Sequence, residues 1–189
     1  LSMRLWSQLE TLLDCDVEFR DTGHIRAVFH ESALQDMQSF AKTAQAHGLD
    51  LELLDQNDMR RRFPFFSHDA IAGSFSPHDG SGNPRLVAPA FAQAAARKGV
   101  EILDHTPVLS VASTHGGYRI ETPDDTIGAD FLLNTAGAWG VQVAAWLDEP
   151  APLTPYAPQM GVTEPLTHRI RPVVGVWAQK PEDGIYCRQ

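Results

Sequence analysis

The stretch from Phe131 to Gly140, FLLNTAGAWG, joins an apolar run to a cluster of small residues. Three consecutive apolar side chains (Phe131, Leu132, Leu133) suit a strand buried on both faces of a mainly parallel sheet. Ala136, Gly137 and Ala138 then fall at the carboxyl end of that strand, where open α/β sheets bind their ligands. Small side chains let a backbone approach a bulky cofactor, and amides at the start of a following helix can face a phosphate. Two readings stand at this level: the late strand and turn of a dinucleotide unit, or a tight strand-to-helix turn that binds nothing. The GxGxxG of such a unit, which supplies phosphate-gripping amides on its opening strand, has no counterpart among the 14 glycines. Gly80 and Gly82 come nearest, but Arg85 stands where the third glycine belongs.

The other reactive residue types form weaker patterns. None of the eight histidines falls in an HExxH spacing, so no metal site is expected. His78 and Asp79 are neighbours in a glycine loop, read first as an exposed turn. Arg60, Arg61 and Arg62 read as a solvated face in preference to a phosphate clamp. Neither GxSxG, a P-loop nor a Cys–His nucleophile pattern is present. Cys15 and Cys187 sit at opposite ends without CxxC, which points to ordinary thiols and a reducing, cytoplasmic setting. A formal net charge of −9 works against nucleic acid or an anionic membrane as a main partner, since either favours a basic face. No apolar run approaches the roughly 18 residues of a spanning helix. The chain starts Leu-Ser-Met, and the expectation is an excised or processed piece.

The elements that must position these residues follow from periodicity. Leu5, Leu9, Leu12 and Leu13 share one face of a helix over 3–14. Residues 17–20 and 24–30 read as strands around the turn Asp21-Thr22-Gly23. A helix over 32–47 buries Leu34, Met37, Phe40, Ala41 and Ala44, and Gly48 ends it. Next come LELLD (51–55), a short helix over 56–63, a strand over 70–77 and a flexible loop over 78–83. Asn83 caps a helix with Pro84 at its first position. Pro89 costs an interior helix about 3 kcal/mol, so regular helix is expected to begin near Pro89 and run to Gly99. Short strands are then predicted at 100–105, 107–114, 117–123 and 126–137, followed by a helix over 138–148. Further strands are predicted at 158–165, 171–179 and 184–189. This order suggests an α/β layer with an antiparallel flap.

Read in sequence, these motifs resemble the D-amino-acid oxidase-like family of FAD-dependent oxidoreductases. That family includes glycine oxidase, sarcosine oxidase and D-amino-acid dehydrogenases. The likeness is carried by Gly99-Val100-Glu101-Ile102, Thr106-Pro107-Val108, Ala136-Gly137-Ala138-Trp139, Gln159-Met160 and Thr163-Glu164-Pro165. It extends over nearly the whole chain.

The resemblance implies a mixed α/β (α+β) fold: part of an FAD-binding Rossmann-like domain lacking its first strand, interleaved with a mixed-sheet substrate domain. Residues 1–78 would be the first part of the substrate domain, 79–148 the partial FAD domain, and 149–189 the returning substrate strands. It implies FAD contacts at Val108, Ala136, Gly137 and Trp139, with Trp139 equally readable as a core anchor. Tyr186 and Arg188 are the implied holders of a substrate carboxylate. Their alternatives are a phenol in water and a solvated strand-end charge. The implied activity is oxidation of a small amino acid or secondary amine by hydride transfer to flavin. The isolated chain is expected to be inactive, or to act as a non-enzymatic split subunit completed by a partner chain.

Overall fold

The computed structural model describes residues 2–165, 167, 169–178, 180 and 184–189. Two compact units emerge: residues 1–100 with 165–189, and residues 101–164. The contact-dense units therefore change over at 100/101 and 164/165. Among the described residues no helix is long and apolar enough to cross a membrane.

The first unit opens with two short helices, α1 (Ser2–Trp6) and α2 (Leu9–Leu13), in place of one continuous helix. After β1 (Arg20–Asp21) come β2 (His24–Val28), α3 (Glu31–Ala46), β3 (Glu52–Asp55), α4 (Gln56–Arg62) and β4 (Ala72–Ser76). The segment ends with β5 (Gly80–Ser81) and α5 (Pro84–Arg97). The second unit holds β6 (Ser110–Thr114), β7 (Gly117–Glu121), β8 (Thr126–Ala129) and α6 (Gly140–Trp146). The chain then returns to the first unit with β9 (Val173–Val176) and β10 (Tyr186–Cys187). The strand predicted over 171–179 ends on Gln179, which lies outside the described residues.

Strands in the order β10-β9-β2-β4-β3 form a mixed five-stranded sheet, in which β2 pairs parallel with β9 and antiparallel with β4. Ile25 and Ala27 point to one face, where Leu54, Met59, Phe63, Ala70 and Val174 complete a core. Gly73 lets α4 close on this face, because a Cβ there would collide with the Met59 sulfur. Val28 and Ala72 point to the other face and pack beneath Ala33 and Met37 of α3. Ala33, Met37 and Ala41 recur every fourth residue, the spacing of one helical stripe. Gly48 closes this helix as expected, at φ +81°, a conformation that costs a side-chain-bearing residue energy.

A second core joins Leu9, Leu13 and Val17 to Ala90 and Ala94 of α5. Arg97 reinforces it by donating to the Leu13 carbonyl at 2.7 Å. This docking explains why α5 does not begin near Pro89. The Asn83 side chain accepts from the Arg85 amide at 3.1 Å, and the Leu86 and Val87 amides reach the Asn83 carbonyl. The helix is thus established one turn before Pro89, whose missing N–H forfeits a single bond.

In the second unit β6, β7 and β8 form the antiparallel meander, with Val111 and Ile120 buried. Several predicted strands are absent. Residues 101–103, 130–136 and 149–165 have no regular structure, so neither VEILDH, the FLLN segment nor PQMGVTEP is a strand. Phe131 is 90% exposed and Leu133 84%, which corrects the buried strand expected there. An apolar run becomes a strand only when a neighbour completes its hydrogen-bond ladder, and among the described residues none pairs with it.

Candidate functional site

Asn134 organises the turn that follows the exposed FLL segment. Its side-chain carbonyl accepts from the Ala136 amide at 3.2 Å, and its amide donates to the Gly140 carbonyl at 2.9 Å. Gly137 opens a 3-10 turn over Gly137–Trp139 that runs directly into α6. It sits at φ +56°, and a Cβ built there would meet nothing within 4 Å. The turn therefore presents bare backbone to open space, as a surface for a bulky ligand would. Gly137 and Ala138 line a cavity of about 260 Å³ with Leu153, Thr154, Pro155 and Tyr156.

Val108 lies just before β6, half exposed, and α6 packs against that same strand. Trp139 is 71% exposed, so it is no core anchor in this chain. Tyr186 pairs with Gly175 and is largely exposed. Arg188, two residues on, donates through Nη1 to the Gly82 carbonyl at 2.5 Å. It thereby engages the 78–83 loop, which is itself pinned by pairing of β5 with β1.

Asp79 does not work with its neighbour His78. Its carboxylate lies 3.5 Å from His24 Nδ1, whereas His78 faces Asp50. Burial pushes the His24 imidazole below its ordinary value, and Asp79 only partly offsets this. His24 Nε2 is buried and has no hydrogen-bond partner among the described residues. Among the three arginines of α4, Arg61 pairs with Asp58 and Arg62 with Glu52, as a surface helix would arrange them. Cys15 and Cys187 are both free thiols.

Sequence reasoning missed three residues beside these. Arg26 lies with its guanidinium carbon 3.7 Å from the centre of the Trp177 ring. The indole N–H of Trp177 in turn donates to the buried Ser74 hydroxyl at 3.0 Å. The alternation of β2, which sends His24 and Arg26 to the face opposite Ile25, was the available signal.

Comparison with known proteins fits this arrangement. The chain is 27% identical to rat mitochondrial dimethylglycine dehydrogenase over 164 residues, which is 86% of this chain and 19% of that protein. It is 28% identical to monomeric sarcosine oxidase of Bacillus sp. (strain B-0618) over 170 residues, 86% of this chain and 42% of the relative. The chain thus spans less than half the length of these curated relatives. Its fold superposes on L-proline dehydrogenase from P. horikoshii with a TM-score of 0.75 and 19% identity, covering 98% of this chain and 52% of that one. The family described as FAD dependent oxidoreductase matches residues 1–189, and this chain belongs to it.

Proposed function

We propose that the protein carrying this chain oxidises a small amino acid or secondary amine with FAD as its cofactor. The observation that carries the reading is the Asn134-pinned turn, whose Gly137 backbone faces open space, inside a chain that matches the flavin family end to end. FAD, when bound, supplies the acceptor for a hydride leaving the amine-bearing carbon.

The residues present fit such a group. Ala136 and Gly137 offer backbone without side-chain bulk, Trp139 an exposed aromatic face, and Val108 an exposed segment before β6. These four are the proposed cofactor contacts. Tyr186 is the proposed donor to a substrate carboxylate through its hydroxyl. Arg188 keeps further N–H groups beyond the one given to Gly82, and its proposed role is to steady that strand end beside the substrate.

Residues 79–148 are proposed to serve the cofactor, with 149–189 and most of 1–78 serving the substrate. The shared core of Leu9 and Leu13 with Ala90 and Ala94 argues for moving α1 and α2 into the cofactor group. Two free thiols fit a reducing compartment such as the cytoplasm.

Anaerobic mixing of the flavin-loaded protein with sarcosine, dimethylglycine, glycine and proline tests the activity. At least one of them is expected to bleach the oxidised flavin band. A flavin left oxidised by all four, and by a panel of D-amino acids, would refute the reading.

A further inference from the structure

The 78–83 loop, HDGSGN, contains Asp79-Gly80, one of two Asp-Gly pairs in the sequence; the other, Asp183-Gly184, begins on a residue outside the described ones. An aspartate before glycine is where a side-chain carboxyl most readily meets the next backbone nitrogen, because glycine sets no side chain against the approach. Attack of that nitrogen on the carboxyl carbon closes a five-membered succinimide. No asparagine precedes glycine here, so the two Asp-Gly pairs are where this chemistry is concentrated.

The fold holds Asp79 turned back onto its neighbour. The Gly80 amide donates to Asp79 Oδ1 at 2.8 Å, so nucleophile and carboxyl group are in proximity before any reaction. Oδ2, the other oxygen, lies 3.5 Å from His24 Nδ1, and a carboxylate in that place keeps the imidazole proton on Nδ1. The Asp79 backbone is fixed as well: its amide donates to the Ser76 carbonyl at 3.3 Å, and its carbonyl accepts from the Gly23 amide at 2.7 Å. Gly80 faces Asp21 across the β1–β5 pair, where a Cβ would collide with the Arg20 carbonyl. The close approach of β1 thus forbids the bulkier neighbour that would shield Asp79. Both residues are half-buried, which leaves water access to the ring.

We propose that Asp79 is a site of spontaneous isoaspartate formation, with the Gly80 nitrogen as nucleophile and His24 as proton donor. The Gly80 nitrogen bonds to Asp79 Cγ; its proton passes to Oδ1, and the His24 Nδ1 proton passes to Oδ2. One of these oxygens leaves with both protons as water, and the imidazole recovers its proton from solvent. A water then opens the succinimide and a proton is released. Opening at Cγ restores aspartate. Opening at the main-chain carbonyl leaves isoaspartate, whose backbone runs through Cβ and Cγ and is one carbon longer, with no change of mass. The former carbonyl no longer presents itself to Gly23, and the added carbon offsets the β1–β5 pair. The product therefore loosens the 78–83 loop between β4 and α5.

The test ages the purified chain for weeks in warm buffer made with heavy-oxygen water and maps it with trypsin. Peptide 63–85 should split into two species of equal mass, each carrying one heavy oxygen, with fragmentation placing the change at Asp79 and not at Asp69. Isoaspartyl methyltransferase should label one of the two. The folded chain should react at least as fast as a synthetic peptide of residues 76–83. His24→Gln should slow it by about tenfold, a fraction of what a well-placed proton donor gives, because 3.5 Å is long for a hydrogen bond. Asp79→Glu, which would need a six-membered ring, should form no such product while keeping the fold by circular dichroism. In the aged chain the Gly23 amide should exchange its hydrogen faster than in the fresh one. An Asp79 that stays unaltered in the folded chain while the peptide isomerises overturns the proposal, as does an undiminished rate in His24→Gln.

Discussion

Asn134 and Gly140 are joined by a 2.9 Å hydrogen bond from the Asn134 amide to the Gly140 carbonyl, which spans the whole AGAW turn. With the return bond from the Ala136 amide, one side chain fixes both ends of the segment. Replacing Asn134 with Ala should cost the chain about 1–2 kcal/mol, typical for two hydrogen bonds of modest net worth. Urea unfolding of the variant measures the cost. In the flavin-loaded protein the same change should lower FAD retention, read by dialysis.

Gly137 separates strain from crowding. Its φ of +56° makes Gly137→Ala strained, at about 1–2 kcal/mol, yet the added methyl meets no atom of the chain. Gly137→Val adds bulk at the same backbone angle. If a cofactor lies against this turn, the valine variant should lose FAD well beyond what its unfolding free energy explains. Equal FAD retention in the two variants would count against the turn as a cofactor surface.

Core and exposed apolar residues should respond oppositely. Ile25 is fully buried in the sheet core, and Ile25→Ala should cost about 2–5 kcal/mol. Phe131, though apolar, makes little of the fold of this chain. Phe131→Ser should alter stability by less than about 0.5 kcal/mol and raise solubility. Chemical denaturation and a solubility limit check the pair.

These contrasts mark where the sequence was and was not legible. Alternation and turn residues reveal β2, β4 and the β6–β8 meander, because each strand has its neighbour within the chain. Asn83 as a cap and Gly48 as a stop are also local facts, and they hold. The Phe131–Leu133 run fails as a strand because apolar composition reports what could be buried, not what lies alongside. Pro89 misleads for the opposite reason: a local penalty is outweighed by the packing of Ala90 and Ala94 against Leu9 and Leu13. The site is the least legible part. The likeness to the flavin family singles out the AGAW turn, but the pairings of Asp79 with His24 and of Arg26 with Trp177 join residues far apart in the chain. Only the registered sheet reveals them.

His24 gives the chain a pH response. Burial lowers its folded-state pKa from the ordinary 6.5, against the opposing pull of Asp79 and with a smaller push from Arg26. Below about pH 6.5 the unfolded chain takes up a proton that the folded chain resists, so stability falls as pH falls, until the folded imidazole also protonates. Unfolding free energies at about pH 7.5 and about pH 5.5 should therefore differ, and His24→Gln should reduce the difference. Asp79→Asn removes the stabilising carboxylate and should enlarge it.

The most direct test of the central claim is the flavin content of the protein carrying this chain, purified under native conditions and read by its absorption spectrum. Family membership and the bare Gly137 turn predict a yellow protein with about one FAD per chain, lost in Gly137→Val but retained in Phe131→Ser. A colourless protein that acquires no flavin spectrum after incubation with excess FAD would contradict the account.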